Sequence, residues 1–148
     1  MEEWPIDTMV GIGPIRFGMT AQEVSEALSS PASESGGSTW FLNNGARVTI
    51  ENEHVVEISV TPLSKRNVTY KGMTVFGWEP FPLLDSLERD GGEMFEQDGY
   101  LMVPKLGLMF TGVHDGDRAQ LAVTALPETF DPHEFGEAPQ VTAASLVQ

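Results

Sequence analysis

One order of punctuation runs through the chain twice: an extended lead-in closing on Phe-Gly, an amphipathic helix, a stop, and a run of short strands separated by turn residues. Phe17-Gly18 falls on Phe76-Gly77 at a spacing of 59, and the same spacing carries Val24 onto Leu83 and Leu28 onto Leu87, so the buried helix positions coincide. A length of 148 residues suits one domain or two small repeats that share a core. The duplicated plan divides the chain into a repeat over 1–66, a second over 67–126 and an acidic, proline-containing tail over 127–148.

In the first repeat a helix is predicted over 19–28. Thr20 is a good N-cap with Glu23 at the capping-box spacing, Val24, Ala27 and Leu28 share one face, and Ser29-Ser30-Pro31 stops it. A polar loop over 32–38 leads to strands at 39–42, 46–51 and 55–61. Asn43-Asn44-Gly45 and Asn52-Glu53-His54 make the turns, because Asn and Gly tolerate the positive φ that tight hairpins demand. In the second repeat Asp90-Gly91-Gly92 stops the helix, and strands follow at 93–97, 100–103, 106–111 and 119–125, with His114-Asp115-Gly116-Asp117 as a hairpin tip. Beyond Leu126 the small residues, Pro and Glu predict a loosely attached tail. The expected fold class is α+β: two helix-plus-antiparallel-strand repeats with the helices on one face of the sheet.

The segment Gly13-Pro14-Ile15-Arg16-Phe17-Gly18-Met19-Thr20-Ala21-Gln22-Glu23-Val24, with a helix end near Pro31 and a hairpin carrying Trp40, resembles the opening of BamE/SmpA-type domains. The resemblance covers about the first 60 residues. A tandem pair of such units is similar in layout to the β-lactamase inhibitory proteins (BLIP-like), in which two repeats form a continuous sheet whose concave face grips an enzyme. The resemblance implies the fold alone. BamE proteins carry a lipid anchor and the inhibitors carry disulfides, whereas this sequence has no cysteine, so no contact residue is carried over.

With Asn44-Gly45 at the turn, Leu42 is expected to pair with Arg47, Phe41 with Val48 and Trp40 with Thr49, and alternation then sorts the faces. Phe41, Val48, Ile50, Val56, Ile58 and Val60 face the helix. Trp40, Leu42, Arg47, Thr49, Glu51, Val55, Glu57 and Ser59 face away. The stretch 106–110 is apolar on both faces, so either the other repeat, the tail or a dimer partner covers it, or Trp40, Leu108 and Phe110 form an exposed recognition patch. The candidate partner-binding residues are therefore Trp40, Arg47, Glu51, Glu57, Leu108 and Phe110.

Charge narrows the partners. The 22 acidic and 8 basic residues give a formal charge of −14, and both parts share it, with 9 acids against 4 bases over 1–66 and 13 against 4 over 67–148. The basic residues are scattered, so nucleic acid and anionic membrane surfaces are not expected partners. The acidity serves solubility or steers the chain toward a basic protein.

Catalytic and metal chemistry find no constellation. The three histidines, His54, His114 and His133, sit on predicted turns or in the tail without metal-ligand spacing. Asp115-Gly116-Asp117 lacks the further ligands of a calcium loop, no GxSxG elbow occurs, and Gly11-Ile12-Gly13 lacks the third glycine of a dinucleotide fingerprint. No cofactor or metal is expected, and a solvated turn is the expectation for each histidine. The sequence thus points to a non-enzymatic, cytoplasmic, acidic protein-binding module, most concretely an inhibitor or immunity-type protein masking a basic enzyme, with a homodimer also compatible. The alternative is a small-ligand carrier or sensor walled by 106–110 with Trp40 or Trp78.

Overall fold

A computed structural model of the chain describes residues 1–147; Gln148, the last residue of the predicted tail, lies outside the described residues. Strand β1 (Glu3–Asp7) leads through β2 (Gly11–Ile12) and β3 (Ile15–Arg16) into helix α1 (Ala21–Leu28). The capping box forms as its spacing predicts: the Glu23 amide donates to the Thr20 hydroxyl at 3.2 Å and the Thr20 amide donates to the Glu23 carboxylate at 3.1 Å. Ser29, left-handed at φ 50°, ends the helix. Strands β4 (Ser33–Ser35), β5 (Ser38–Phe41), β6 (Ala46–Glu51) and β7 (His54–Val60) complete the first half. The second half runs β8 (Asn67–Tyr70), β9 (Met73–Thr74), helix α2 (Phe81–Gly91), β10 (Met94–Gln97), β11 (Tyr100–Val103), β12 (Leu108–Thr111) and β13 (Ala122–Ala125). Strand β14 (Gln140–Val141) and helix α3 (Ala143–Leu146) follow.

The fold is α+β and mostly sheet. Nine strands form one antiparallel sheet in the order β14-β10-β11-β12-β13-β7-β6-β5-β4, and five form a smaller sheet, β3-β2-β1-β8-β9. The halves meet twice: β7 pairs antiparallel with β13 in the large sheet, and β1 pairs parallel with β8 in the small one. Between the sheets lies a single apolar cluster. Val24 of α1 and Leu83, Leu84 and Leu87 of α2 pack there with Phe41 and Phe110 of the large sheet and with Trp4 and Ile12 of the small one. The expected buried positions Leu83 and Leu87 of α2 are core residues, whereas α1 buries Val24 fully and Leu28 in part and leaves Ala27 exposed.

Three expectations need correction. Residues Leu42–Asn44 form a 3₁₀ turn, so Leu42 leaves the ladder and Phe41 pairs with Ala46, Trp40 with Arg47 and Thr39 with Val48. That register differs by two residues from the expected one, and two is the period of a strand, so every side chain keeps its predicted face. On β7 the ladder shifts between Thr49 and Ile50. Thr49 still faces Glu57, but Ile50 faces Val55, which leaves Val56 as the extra, bulged residue and turns Val55 inward to 2% exposure. The tail, finally, is packed: β14 pairs with β10, the Ala143 amide donates to the Glu88 carboxylate at 3.1 Å, and Ala138 and Ala143 are buried.

The 3₁₀ turn recurs in the second half. Residues Pro104–Leu106 repeat Leu42–Asn44, followed by Gly107 at φ 65° where the first half has Gly45 at φ 57°. The Gly45 carbonyl accepts from the Thr61 amide at 3.1 Å and the Gly107 carbonyl from the Leu126 amide at 2.8 Å, so each turn is tied to the exit of its half's last long strand. A Cβ on Gly45 would stand 2.2 Å from the Ser64 amide nitrogen. Gly45→Ala is therefore expected to combine left-handed strain with overpacking and to cost about 2–4 kcal/mol in urea unfolding. Gly116→Ala, at φ 74° with open space around it, carries the conformational cost alone, about 1–2 kcal/mol; equal losses at the two sites would contradict the packing argument.

Candidate functional site

Buried residues of α1 and α2 share the core cluster with Phe41 and Phe110 of the nine-stranded sheet, and the alternate positions of its strands carry a row of side chains in strict register. Trp40 stands beside Arg47, Arg47 beside Ser59, Ser59 beside Thr124, Thr124 beside Met109, Met109 beside Met102 and Met102 beside Phe95. The row crosses seven strands, roughly 30 Å at the usual interstrand spacing. Its middle passes through the junction of the two halves, where the Ser59 and Thr124 hydroxyls lie 3.1 Å apart and satisfy each other.

The row lies in a hollow of about 400 Å³. Arg47, Ser59, Thr124, Met109 and Met102 line it, with Glu57, Asp98 and Tyr100 also on its wall. Ala138 and Phe130 of the tail pack with Phe95 and Met102, and of these Met102 also lines the hollow. The other end opens into a second hollow of about 240 Å³ beside Trp40, Leu42 and Leu63, which shares Arg47, Ser59 and Ala122 with the first. Leu42 and Leu63 are 69% and 75% exposed.

Arg47 is electrostatically distinct. Its guanidinium carbon sits 5.1 Å from the centre of the Trp40 ring, and among the described residues it makes no ion pair and no hydrogen bond. The other arginines are occupied: Arg16 by Asp7 at 3.1 Å, Arg66 by Glu2 at 3.6 Å, Arg89 by Asp85 at 3.3 Å, and Arg118 by the carbonyls of Phe76 and Gly77 at 3.0 Å each. The carboxylate nearest Arg47 along the sheet, Glu57, accepts instead from the Thr49 hydroxyl at 3.0 Å.

Of the candidate residues, Trp40, Arg47 and Glu57 come together on this open face. Glu51 is exposed at the far end of β6, opposite His54, and does not line the hollow. Leu108 and Phe110 are core residues at 0% and 1% exposure; Phe110 borders the hollow from the core, and Leu108 does not reach it. Strand β12 reads as apolar on both faces because both are covered in part: Leu108 and Phe110 enter the helix-side core, while Met109 between them packs toward Phe95 and Met102. Trp78, offered as a pocket wall, is exposed elsewhere with the Arg118 guanidinium 3.6 Å above its ring. Sequence reasoning missed Met102, Met109, Tyr100 and Thr124. Their alternation was readable, but their place beside Arg47 depends on β7 finding β13 more than sixty residues away in the chain.

Two polar clusters lie outside this face. His114 is not a solvated turn residue: it is 5% exposed, with Nε2 2.6 Å from a Glu96 carboxylate oxygen. Glu96 lies on β10 in register with Leu101 and Phe110, and its side chain keeps 37% exposure while that of His114 keeps 1%. At the end of α2, Asp90 accepts from the buried Tyr70 hydroxyl and pairs with Lys71 at 2.8 Å. Lys71 and then Tyr70 hold the Asp90 carboxyl below its ordinary range, while burial first and Asp90 second push the Tyr70 phenol above its own. Among the described residues no group of three or more His, Asp or Glu side chains is placed to hold a metal ion, and no helix is long and apolar enough to cross a membrane. No known protein family, curated protein or solved structure matches the chain.

Two outcomes test these assignments. A carboxyl with a lowered folded-state pKa stabilises the fold fully above its unfolded value and ceases to do so as pH falls through the folded one, so Asp90→Asn is expected to flatten the loss of stability below about pH 4 in urea titrations. An unchanged acid limb would show that the pair contributes nothing. Leu108→Ala is expected to cost about 2–5 kcal/mol as a core truncation, and Met109→Ala, half-buried on the open face, distinctly less; the reverse order would contradict the facing of β12.

Proposed function

We propose that the chain is a non-enzymatic, acidic protein-binding module whose open sheet face docks on a basic surface of another protein, in the manner of an inhibitor or immunity-type protein that masks an enzyme. The observation that carries the proposal is the uncovered stretch of sheet from β5 to β11, where Trp40, Leu42, Leu63 and Tyr100 present aromatic and aliphatic surface around a hollow. An aromatic anchor with a polar rim is the make-up of a docking surface. The choice of a basic partner follows from charge. At −14 overall, with Glu57 and Asp98 beside the hollow and Glu51 and Glu53 at the β6–β7 turn, the chain attracts a cationic surface at long range and repels an anionic one.

The tandem-repeat reading of the fold belongs to the same proposal. The paired glycine turns at Gly45 and Gly107 support it. Their spacing of 62, against 59 at Phe17 and Phe76, matches the extra length of α2, 11 residues against 8 in α1. Under this reading the chain resembles a BLIP-like pair of repeats in layout, with the recognition face on the side opposite the helices. The small-ligand reading keeps one specific support, the hollow of about 400 Å³ lined by Arg47, Thr124 and Met109.

Immobilised protein is expected to retain one basic protein in stoichiometric amount from its own cell lysate at low salt and to release it at high salt. Trp40→Ala should weaken retention about tenfold or more, the scale of an anchor residue. Glu51→Gln with Glu57→Gln should slow association several-fold with less effect on dissociation. Retention untouched by all of these substitutions, or a partner of acidic character, would overturn the proposal.

A further inference from the structure

We infer that the hollow on the open sheet face is a binding site for a small amphipathic monocarboxylate, whose carboxylate meets Arg47 and whose apolar body lies along Thr124, Met109 and Met102. This inference concerns a small molecule and does not require the protein-docking function proposed above.

The head group follows from Arg47. A guanidinium carries five N–H donors in one plane and no acceptor, and this one is half-buried with no polar partner among the described residues, in a chain where acidic residues outnumber basic ones 22 to 8. Its nitrogens are reached by solvent and are free to take a ligand acceptor in place of water. The Trp40 ring centre lies 5.1 Å from the guanidinium carbon and takes none of its donors as a hydrogen-bond acceptor, so they remain for a planar acceptor with two oxygens. Only a single negative charge is matched. Glu57 and Asp98 share the same wall and no second basic residue lines the hollow, so a doubly charged phosphate would meet more repulsion than Arg47 offsets.

The body follows from the rest of the row. From Arg47 the register steps through Ser59 and Thr124 to Met109, three interstrand spacings or about 14 Å. Ser59 and Thr124 bond to each other, so this part of the floor makes little demand on a ligand for polar contacts. Beyond it, the half-buried Met109 offers a flexible thioether side chain that adapts to an aliphatic or aromatic group, with Tyr100 alongside, while Met102, 1% exposed, borders the hollow from the buried cluster of Phe95 and Ala138. Phe95 and Ala138 pack with Met102 outside the lining of the hollow. A hollow of about 400 Å³ is within the range of small-molecule sites.

The test uses the full chain with ¹³C-methyl methionine, whose seven methionines include Met102 and Met109 on the floor and Met94 in the core as a control. Three probes share one ten-carbon tail: decanoate, decan-1-ol and decyltrimethylammonium. Decanoate is expected to shift the Met102 and Met109 signals saturably and to leave Met94 in place. Decanol should bind about tenfold more weakly for want of the charge-assisted bond, and the ammonium more weakly still. Arg47→Gln should lower decanoate affinity about tenfold, to that of decanol, without changing decanol binding. Equal binding of decanoate and decanol by the native chain, tighter binding of the ammonium, insensitivity to Arg47→Gln, or floor signals unmoved at millimolar decanoate would each overturn the inference. The comparison of probes on the native chain decides the matter even if Arg47→Gln does not fold. Capture of a basic protein through Trp40 and the acidic residues would survive any of those results, so the two proposals fail separately.

Discussion

The antiparallel pairing of β7 with β13 is the contact on which the remaining architecture depends. Val60 beside Val123, Ser59 beside Thr124 and Ile58 beside Ala125 fuse two four-stranded arrays, and the short β14 extends one edge to make nine strands. The same register aligns a helix-side row and an open-face row from one half into the other. Phe41, Ala46, Val60, Val123, Phe110 and Leu101 form the first, and it gives the two helices a common floor. The core beside that seam draws on both halves, with Val24 and Phe41 from the first and Leu83, Leu87 and Phe110 from the second.

Local signals were legible where the chemistry is local. Thr20 and Glu23 define the start of α1 because a capping box is complete within four residues. The face of each strand was also readable, and it survived an error in register: the 3₁₀ turn at Leu42–Asn44 moved every expected pair by two residues, which strand periodicity absorbs. A one-residue change is not absorbed in this way. At the bulge opposite Thr49 and Ile50 the alternation breaks, Val55 and Val56 exchange roles, and no pattern of apolar residues in 55–60 announces it.

The site was legible by halves for the same reason. Trp40, Arg47 and Glu57 lie on three consecutive strands of the first half and could be assembled from hairpin rules alone. Met109, Met102 and Tyr100 join them only through the long-range seam, and the apolar reading of 106–110 drew attention to Leu108 and Phe110, which the helices claim. His114 shows the complementary failure. A histidine in a run of Asp and Gly reads as solvated, yet a single carboxylate at the end of the helix-side row, Glu96, holds it inside. The tail misled through composition: its Pro and Glu residues read as solvated and irregular, but Ala138 and Ala143 are small enough to be buried, Ala138 with Phe95 and Ala143 in the main core.

The two borders of the large sheet are unequal in origin but alike in form. At one side β4 has three residues, Ser33, Glu34 and Ser35, all exposed and followed by Gly36-Gly37; at the other, β14 has two. Long bare borders invite a strand from another molecule to continue the ladder, and such short, polar ones give it almost nothing to template on. Growth by strand addition, the usual hazard of a wide sheet, is thereby discouraged at both sides. A molecule that meets this protein is left to read its broad surface, side chain by side chain, rather than to extend its backbone.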